Sequence, residues 1–440
     1  MHSGSSVVRR GTVVAAALAG VALFAAGCSS SSKSSTGTTP TSGSTGAAPT
    51  GASSVGGAAA TKSPIKIGFI TSLTGAASST FSTSAVGAKA YFNSVNEKGG
   101  YDGHPIQLVT EDDTSSAAGA ASATKLLISQ NVFAIISDSS YFFGGYRFAQ
   151  QAGIPVVGSG FDGPEWGQKP NTNMFSFSGG MDPNHSEIAA GIGAATLFKA
   201  LGVKNVGGLA YGISPSSTSS VKDMKTALTD DGVKMGYENL SVNFGTTDVG
   251  APILAMKNGG VDMAVCSCVQ STVLSLVSGL KQAGSDAKSL SFASADSTLF
   301  SDPNAAAAAQ GVYYSSIIPP LDVNNPASTT FENDFKAVDS TYQMGTYPTF
   351  GATDAYISAA LVMKGLQAAG GEPSHQSFIS SLTNVTGWNA DGLLPSAVSF
   401  NHFGTSEKQY CSFYVHVQGK QFVAVNGGKP YCAAVPSNLS

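Results

Sequence analysis

Charged residues are scarce in this 440-residue chain: they make up 11% of it, with 23 Lys and Arg against 27 Asp and Glu. A nucleic-acid-binding protein needs a basic face to neutralise phosphates, so this composition argues against that class. After the N-terminal region, no run of about 18 consecutive apolar residues occurs, and no membrane-spanning helix is predicted there. The 42% of hydrophobic residues is enough for a large core.

Motifs of catalysis are also missing. The sequence contains no Gly-x-Ser-x-Gly elbow, no Walker A loop and no His-Glu-x-x-His motif. Its six histidines do not cluster at metal-ligand spacing, so neither a metal nor a cofactor is predicted. Gly191-Ile192-Gly193 resembles part of a dinucleotide-binding loop, but it falls inside a predicted helix and is interpreted as helix packing. We therefore expect a protein that is not an enzyme.

The N-terminus has the pattern of an export signal. Two arginines precede an apolar run from Val13 to Ala26, which is shorter than the ~20 residues of a spanning helix and typical of a signal peptide. The run ends in Ala-Ala-Gly-Cys, which resembles the lipobox of bacterial lipoproteins, where the cysteine is acylated. We expect residues 1–28 to be a lipoprotein signal with a lipidated Cys28 that anchors the protein to the membrane. An ordinary secretory signal with a chance cysteine is the alternative.

A tract rich in Ser, Thr, Gly, Pro and Ala occupies residues 29–62. It has no periodic apolar face, so it cannot recover its ordering entropy by burial, and a disordered tether is predicted. The folded part is expected to begin at Ser63, outside the cytoplasmic membrane. Its remaining length predicts two lobes.

Strands and helices alternate from Ile65 onward. IKIGFI is an apolar run typical of a buried parallel strand, and SAVGAKAYFNSVNEKG follows with apolar residues at helical spacing. The strand-like runs PIQLVTEDD, VFAIISD and IPVV continue the pattern, and a second set contains NVGGLAY, MGYENLSVNF and VDMAVCSC. The alternation predicts an α/β fold with parallel central sheets, and the shared order of elements indicates two copies of one topology.

The C-terminal region carries a separate signal. Cys411 and Cys432 flank two alternating runs, SFYVHV and QFVAV, which predict a β-hairpin joined at Gln418-Gly419-Lys420. Four cysteines remain once Cys28 is set aside, and export to an oxidising compartment favours a disulfide between Cys411 and Cys432.

The first lobe's motifs resemble a known family. IKIGFITSLTG, GAKAYFNSVNEKGGYDGHPIQLVTEDD and ATKLLISQNVFAIISDSS are similar to the branched-chain amino-acid-binding proteins of ABC importers, which are type I periplasmic solute-binding proteins. The resemblance extends from Ser63 to the C-terminal region and is strongest before Val157. It implies two Rossmann-like lobes joined by three hinge crossings, with a ligand held in the cleft between them.

The resemblance also implies where the chain changes lobe. Crossings are expected near Gly179–Asn184, Ser315–Pro320 and Gly387–Leu394. The expected extents are 63–182 and 318–388 for lobe 1, and 183–317 and 389–440 for lobe 2.

The implied function is that of an extracytoplasmic solute-binding lipoprotein of an ABC importer. It would capture a small amino acid or amino-acid-like solute and deliver it to ABC permease subunits, with no nucleic-acid partner. A ligand sensor on the same fold, signalling to a membrane partner, is the alternative.

Candidate ligand residues follow the predicted strands. The turn Ser139-Ser140-Tyr141 follows VFAIISD, and by resemblance it offers hydroxyl and backbone N–H groups to an amino-acid carboxylate. Capping of the next helix is the alternative role for the serines. Asp296 matches the position where the family places an acid against the ligand ammonium, since a desolvated cation needs a countercharge. The other candidates all follow strands of the two lobes: Gly160, Phe161, Asp162, Ile213, Val269 and Gln270.

Three positions depart from the family pattern or raise their own question. Asp162 would repel a ligand carboxylate unless it pairs with the ligand's amine. Cys266 and Cys268 would share one face of a strand with Cα atoms about 7 Å apart, and zinc would lack two further ligands. They are interpreted as small strand-end residues beside the cleft, with Cys268 to Gln270 at the cleft wall. A strained redox bridge is the alternative.

Overall fold

The structure, a computed structural model, describes residues 61–178, 182, 184, 188–230, 232–405 and 407–435. All of them belong to one unit of the chain, Gly56–Ser440. The predicted signal, the lipidated Cys28 and nearly all of the predicted tether lie outside the described residues. None of the described helices combines the length and apolar character needed to cross a membrane.

The described chain begins two residues before the predicted Ser63. The backbone amides of Thr61 and Lys62 donate to the carbonyl oxygen of Gly103 at 3.0 and 2.9 Å. The Lys62 ammonium also meets Asp102 at 2.9 Å. These two residues are therefore held against the fold, and the position at which the tether ends stays a prediction.

The first sheet is wholly parallel, with its strands in the order β2-β1-β3-β4-β5. Its central strands are continuous apolar runs because helices cover both faces of the sheet. The strands are β1 (Ile65–Thr71), β2 (Ile106–Asp112), β3 (Ala134–Asp138), β4 (Val156–Gly158) and β5 (Met174–Ser176).

The second sheet is parallel from β6 to β10 and antiparallel from β10 onward, in the order β12-β11-β10-β9-β8-β6-β7, with β13 paired to β11. The predicted hairpin is confirmed, since β11 and β12 pair antiparallel with Gln418 opposite Gln421. The predicted disulfide is also confirmed, since Cys411 and Cys432 lie opposite each other on β11 and β13 and are bonded. The strands are β6 (Asn205–Tyr211), β7 (Lys234–Val242), β8 (Met263–Ser267), β9 (Lys288–Ser294), β10 (Tyr313–Ser316), β11 (Gln409–Gln418), β12 (Gln421–Ala424) and β13 (Tyr431–Ala434).

Twelve α-helices of the described residues connect and cover these strands. They are α1 (Ser78–Phe81), α2 (Ser84–Glu97), α3 (Ala117–Ser129), α4 (Tyr146–Gln151), α5 (Ile188–Leu201), α6 (Pro215–Asp230), α7 (Gly250–Asn258), α8 (Gln270–Gln282), α9 (Pro303–Ala308), α10 (Pro326–Val338), α11 (Phe350–Ala369) and α12 (His375–Thr383).

The chain returns to the first sheet after β10. Helices α10 and α11 pack on α2, with the rings of Tyr91 and Tyr356 5.1 Å apart, and Phe378 of α12 packs on Phe133 at 5.7 Å. Helix α5 packs on α6 and β11 of the second sheet. We call the first sheet with α1–α4 and α10–α12 the first lobe, and the second sheet with α5–α9 the second lobe.

The connections between these two lobes fall near the predicted crossings. One connects β10 to α10 and overlaps Ser315–Pro320, and another connects α12 to β11 and contains Gly387–Leu394. Of the predicted first crossing, Gly179–Asn184, only Asp182 and Asn184 are among the described residues. The lobe boundaries themselves stay predictions.

Candidate functional site

A cavity of about 260 Å³ lies between the lobes, and we call it the main cavity. Its wall combines residues that follow strands of both sheets: Ser140 after β3, Phe161 after β4, Tyr211 at the end of β6 and Val269 after β8. Parallel α/β sheets bind ligands at this edge, because the carboxyl ends of the strands and the helix N-termini meet there.

Three phenylalanine rings form the first-lobe side of the main cavity. Phe81 closes α1, Phe161 follows β4 and Phe350 opens α11. The rings of Phe81 and Phe161 are stacked at 5.7 Å, and Phe350 meets them edge-on at 5.9 and 5.4 Å. This packing gives the cavity a large apolar and aromatic surface.

Tyr211 and Phe244 form the facing wall in the second lobe, with ring centroids 4.7 Å apart. The Tyr211 hydroxyl accepts from the backbone N–H of Val269 at 3.1 Å and is 2.8 Å from the Thr272 hydroxyl. Tyr211 therefore fixes the N-terminal turn of α8 at the edge of the cavity.

Cys266 and Cys268 are joined by a disulfide, with Cα atoms 5.1 Å apart. The interpretation as two separate cysteines is thus wrong, and the bridge that stood as the alternative is present. The assumed separation of about 7 Å applies to a regular strand, but β8 ends at Ser267, between the two cysteines. Cys268 borders the main cavity, while Cys266 is buried in the core.

Charge in the main cavity is entirely acidic. Asp354 and Glu407 are the ionisable acids of its described lining, and none of the Lys, Arg or His residues that the structure describes borders it. Glu407 is already paired, since its Oε1 atom meets His402 Nε2 at 2.8 Å and accepts from the Ser399 amide at 2.7 Å. Although burial opposes it, the hydrogen bond from His402 lowers the pKa of Glu407.

Asp354 is the acid with a free oxygen at this cavity. It lies on α11, one helical turn after Phe350, so both side chains share one helix face. Its Oδ1 atom accepts from the Ser358 hydroxyl at 3.1 Å, whereas its buried Oδ2 atom has no hydrogen-bond partner. Burial raises the pKa of Asp354 to about 7, and the neighbouring hydroxyls of Ser159 and Ser358 only partly offset this.

The predicted turn after β3 divides between cavity and core. Ser140 borders the main cavity, as a ligand residue would. Ser139 is fully buried, and its hydroxyl donates to Asp113 while it accepts from the Tyr141 amide at 3.0 Å. The Tyr141 side chain packs against Phe244 across the cleft and lies outside the cavity lining. Ser139 therefore shapes the turn, and its hydroxyl is not available to a ligand.

The group after β4 also divides. Phe161 lines the main cavity, but Asp162 is 2% exposed and accepts from the Trp166 indole N–H at 2.7 Å. Burial, together with neighbouring Glu165, raises the pKa of Asp162 well above its ordinary value. Asp162 points into the lobe interior, and the expectation that it pairs with a ligand amine is not met. Gly160 has a φ of +78° and lies against Ser176, so a glycine is favoured there by the backbone conformation.

The remaining second-lobe candidates do not lie together. Ile213 is 61% exposed and stands outside the lining of the main cavity, contrary to expectation. Gln270 and Asp296 border a second cavity of about 230 Å³, which shares Thr80, Ala293, Ser294 and Phe350 with the main cavity. Val269 alone of this group borders the main cavity itself.

Gln270 and Asp296 both have internal partners. Gln270 Nε2 donates to the Tyr314 hydroxyl at 2.7 Å, and Asp296 Oδ1 accepts from the Thr298 amide at 2.9 Å. Burial raises the pKa of Asp296. Their contact with a ligand stays a prediction.

The residues that α11 contributes to the cavity were not predicted from the sequence. Phe350 and Asp354 were assigned no role, although an aspartate within the apolar helical run FGATDAYISAAL is an unusual feature. A buried acid in such a run needs a partner or a function.

Two α/β lobes with parallel sheets, closing on a cavity lined by their strand ends, define a solute-binding protein of the type I class. The sequence profile of a periplasmic binding protein family matches residues 64–419. The chain belongs to this family, which confirms the resemblance drawn from the first-lobe motifs, and the family and fold are those of binding proteins.

Individual relatives agree with this assignment. A Leu/Ile/Val-binding protein homologue of Brucella melitensis is 26% identical over 336 residues, which is 71% of this chain and 74% of that protein. A branched-chain amino-acid transporter substrate-binding protein of Streptococcus pneumoniae, solved with isoleucine, has a TM-score of 0.65 and 19% identity, covering 84% of this chain and 99% of that one. A solute-binding protein of R. palustris, solved with benzoate, has a TM-score of 0.67 and 16% identity, covering 86% and 98%.

Proposed function

We propose that this protein captures a small amino acid or amino-acid-like solute in the main cavity and delivers it to the permease of an ABC importer. The observation that carries the proposal is the lining of that cavity by both lobes, at the carboxyl ends of their parallel strands. A solute held there would contact both lobes at once, so binding would favour the closed arrangement that a permease recognises.

The composition of the wall supports an amphipathic solute. The phenylalanine rings of the first lobe and Tyr211 with Phe244 provide apolar surface, while Ser140 and Asp354 provide polar groups. A pocket of this kind buries an apolar body and orients it through a few polar contacts. The relatives named for leucine, isoleucine and valine fit this description, while the benzoate complex marks a different ligand class on the same fold.

Export with a lipid anchor on Cys28 completes the proposal. The support is the sequence alone: an apolar run followed by Ala-Ala-Gly-Cys and a tract rich in Ser, Thr, Gly, Pro and Ala. Replacing the cysteine removes the acylated thiol, so Cys28→Ser is expected to move the protein from the membrane fraction to the soluble fraction. Unchanged membrane association would contradict the anchor.

A thermal-shift screen of the full chain against amino acids, benzoate and fatty acids tests solute capture. A ligand that binds only the folded state raises the melting temperature by mass action. Ala293→Trp fills the wall that the main cavity shares with the second cavity, and it is expected to abolish the shift produced by a hit in either. Ile213→Trp is the matched control, since this exposed residue lies outside the lining, and it should keep the shift. Equal shifts in both variants would place the solute elsewhere.

A further inference from the structure

Two fully buried aspartates of the first lobe act on each other, and one of them, Asp354, borders the main cavity. Asp138 ends β3 and Asp354 lies on α11, and both are 0% exposed. Neither carboxyl oxygen of Asp138 meets a donor in hydrogen-bond geometry, and the Oδ2 atom of Asp354 is likewise without a partner. Buried carboxylates are costly unless they are paired, so the lack of partners needs an explanation.

No basic side chain compensates the pair. The groups that act on Asp138 are Asp354, the Ser84 hydroxyl and Asp113, and those that act on Asp354 are the Ser159 and Ser358 hydroxyls. These groups come from the residue after β2, the first residue of α2, the turn after β4 and α11. Every charged group among them is acidic, so the local field favours a cation.

Asp354 also lies where a ligand cation would be stabilised by two kinds of group, a carboxylate and aromatic rings. Phe350, one turn earlier on α11, and its stacked neighbours Phe81 and Phe161 border the same cavity. Aromatic faces attract a cation through their quadrupole, and the attraction grows in a desolvated site. The other lining acid, Glu407, is already engaged by His402.

We propose that Asp354, backed by Asp138, is the residue that recognises the cationic group of the solute, and that the main cavity selects organic amines over carboxylates. The proposal rests on the proposed solute-binding function and specifies its ligand class. An ammonium beside Asp354 would supply the missing hydrogen-bond donors and the countercharge together. A carboxylate of similar size would add a third negative charge to a site without a basic residue in its described lining.

Proton linkage follows from this arrangement. Two adjacent buried carboxyls hold a proton more tightly than an isolated one, so a cation must displace that proton in order to bind the ionised form. The pKa of Asp354, raised to about 7 by burial, sets the range. Amine affinity should rise as the pH increases through this range and fall as much as about tenfold per pH unit below it.

Titration calorimetry with isosteric probes tests the selectivity. The aliphatic series is L-leucine, 3-methylbutylamine and 4-methylpentanoate, and the aromatic series is L-phenylalanine, phenethylamine and 3-phenylpropanoate. At about pH 8, the full chain should bind amine-bearing members of at least one series and should bind the matching carboxylate at least about tenfold more weakly. Binding of a carboxylate as tight as its amine, or of no amine in either series, overturns the proposal.

Variants locate the recognition at Asp354. The isosteric change Asp354→Asn should weaken amine binding about 10- to 100-fold and flatten its pH dependence, as expected for loss of a charge-assisted hydrogen bond. Asp138→Asn removes the neighbouring charge and should shift the pH profile of amine binding to lower pH. Asp162→Asn is the matched control, an equally buried first-lobe aspartate outside the cavity lining, and it should leave affinity unchanged. Equal effects of Asp354→Asn and Asp162→Asn contradict the assignment.

These outcomes separate the two proposals. If only carboxylates bind, and Ala293→Trp abolishes their thermal shift, solute capture stands while amine recognition fails. If no solute of the screen or of either series binds, both fail.

Discussion

Burial, more than residue type, decides what each aspartate near the cleft does. Asp162 and Asp354 are both buried acids of the first lobe, yet Asp162 accepts from Trp166 inside the lobe whereas Asp354 borders the main cavity with one free oxygen. Asp296 caps a short helical turn at the second cavity. In the sequence, all three are acids in helices or in loops that follow strands. Only their positions in the folded protein show which of them borders the main cavity.

Asp138→Asn should stabilise the protein at alkaline pH. Burial, with the neighbouring charge of Asp354, raises the pKa of Asp138. A raised folded-state pKa contributes stability that is fully present below the ordinary value of about 4 and is lost as the pH rises through the folded value. The amide removes one charge from the buried pair, so at about pH 8 we expect the free energy of unfolding to rise by about 1–3 kcal/mol.

Denaturant unfolding at about pH 4.5 and pH 8 measures this effect. The gain should be larger at the higher pH, because the wild-type pair is largely neutral at the lower one. Exposed Asp248 provides the control, and Asp248→Asn should change stability little at either pH. A variant that is no more stable than the wild type at pH 8 would contradict the account of the buried pair.

At the same residue scale, the sequence identified part of the site. Ser140, Phe161 and Val269 border the main cavity because each lies a few residues after a strand that ends there. The approximate ends of these strands can be predicted from the apolar runs in the sequence. The sequence did not show that Ser139 is engaged by Asp113, nor that Cys266 and Cys268 are bonded across the end of β8. Such pairings depend on where a strand stops, and a strand end is set by contacts distant in sequence.

Among the elements, the strands and helices up to β8 follow the predicted order, apart from α1 and β5, which are too short to give a periodic pattern and were not predicted. Apolar runs and helical spacing are strong signals for the others. Helices α10–α12 were not predicted, since they follow one another without strands between them and so fall outside the strand–helix alternation. Their packing could not be inferred from pattern: Gly87 of α2 lies so close to α11 that an added Cβ would stand 1.7 Å from the Ala352 carbonyl oxygen. Glycine permits this approach, and through it α11 brings Phe350 and Asp354 to the cavity.

For the whole molecule, the two-lobe α/β fold was predictable because the first-lobe motifs resemble a family with that fold. The same resemblance predicted that the chain returns to the first lobe after β10 and to the second lobe at β11. Ligand class was not predictable, since it depends on how two lobes combine their side chains across one cavity. A bound solute is therefore expected to contact both lobes and to hold them together.

The distance between the lobes, measured with and without solute, tests that claim most directly. Leu126 on α3 and Leu254 on α7 are 46% and 58% exposed and lie on different lobes. In a Cys28→Ser background, Leu126→Cys and Leu254→Cys provide labelling sites for spin labels, because the other four cysteines are paired. With the tightest-binding amine probe, pulsed electron–electron double resonance should show a shorter and narrower distribution of the distance between the two spin labels. Ala293→Trp should prevent this change. A distribution that does not move when the solute binds would contradict capture by lobe closure.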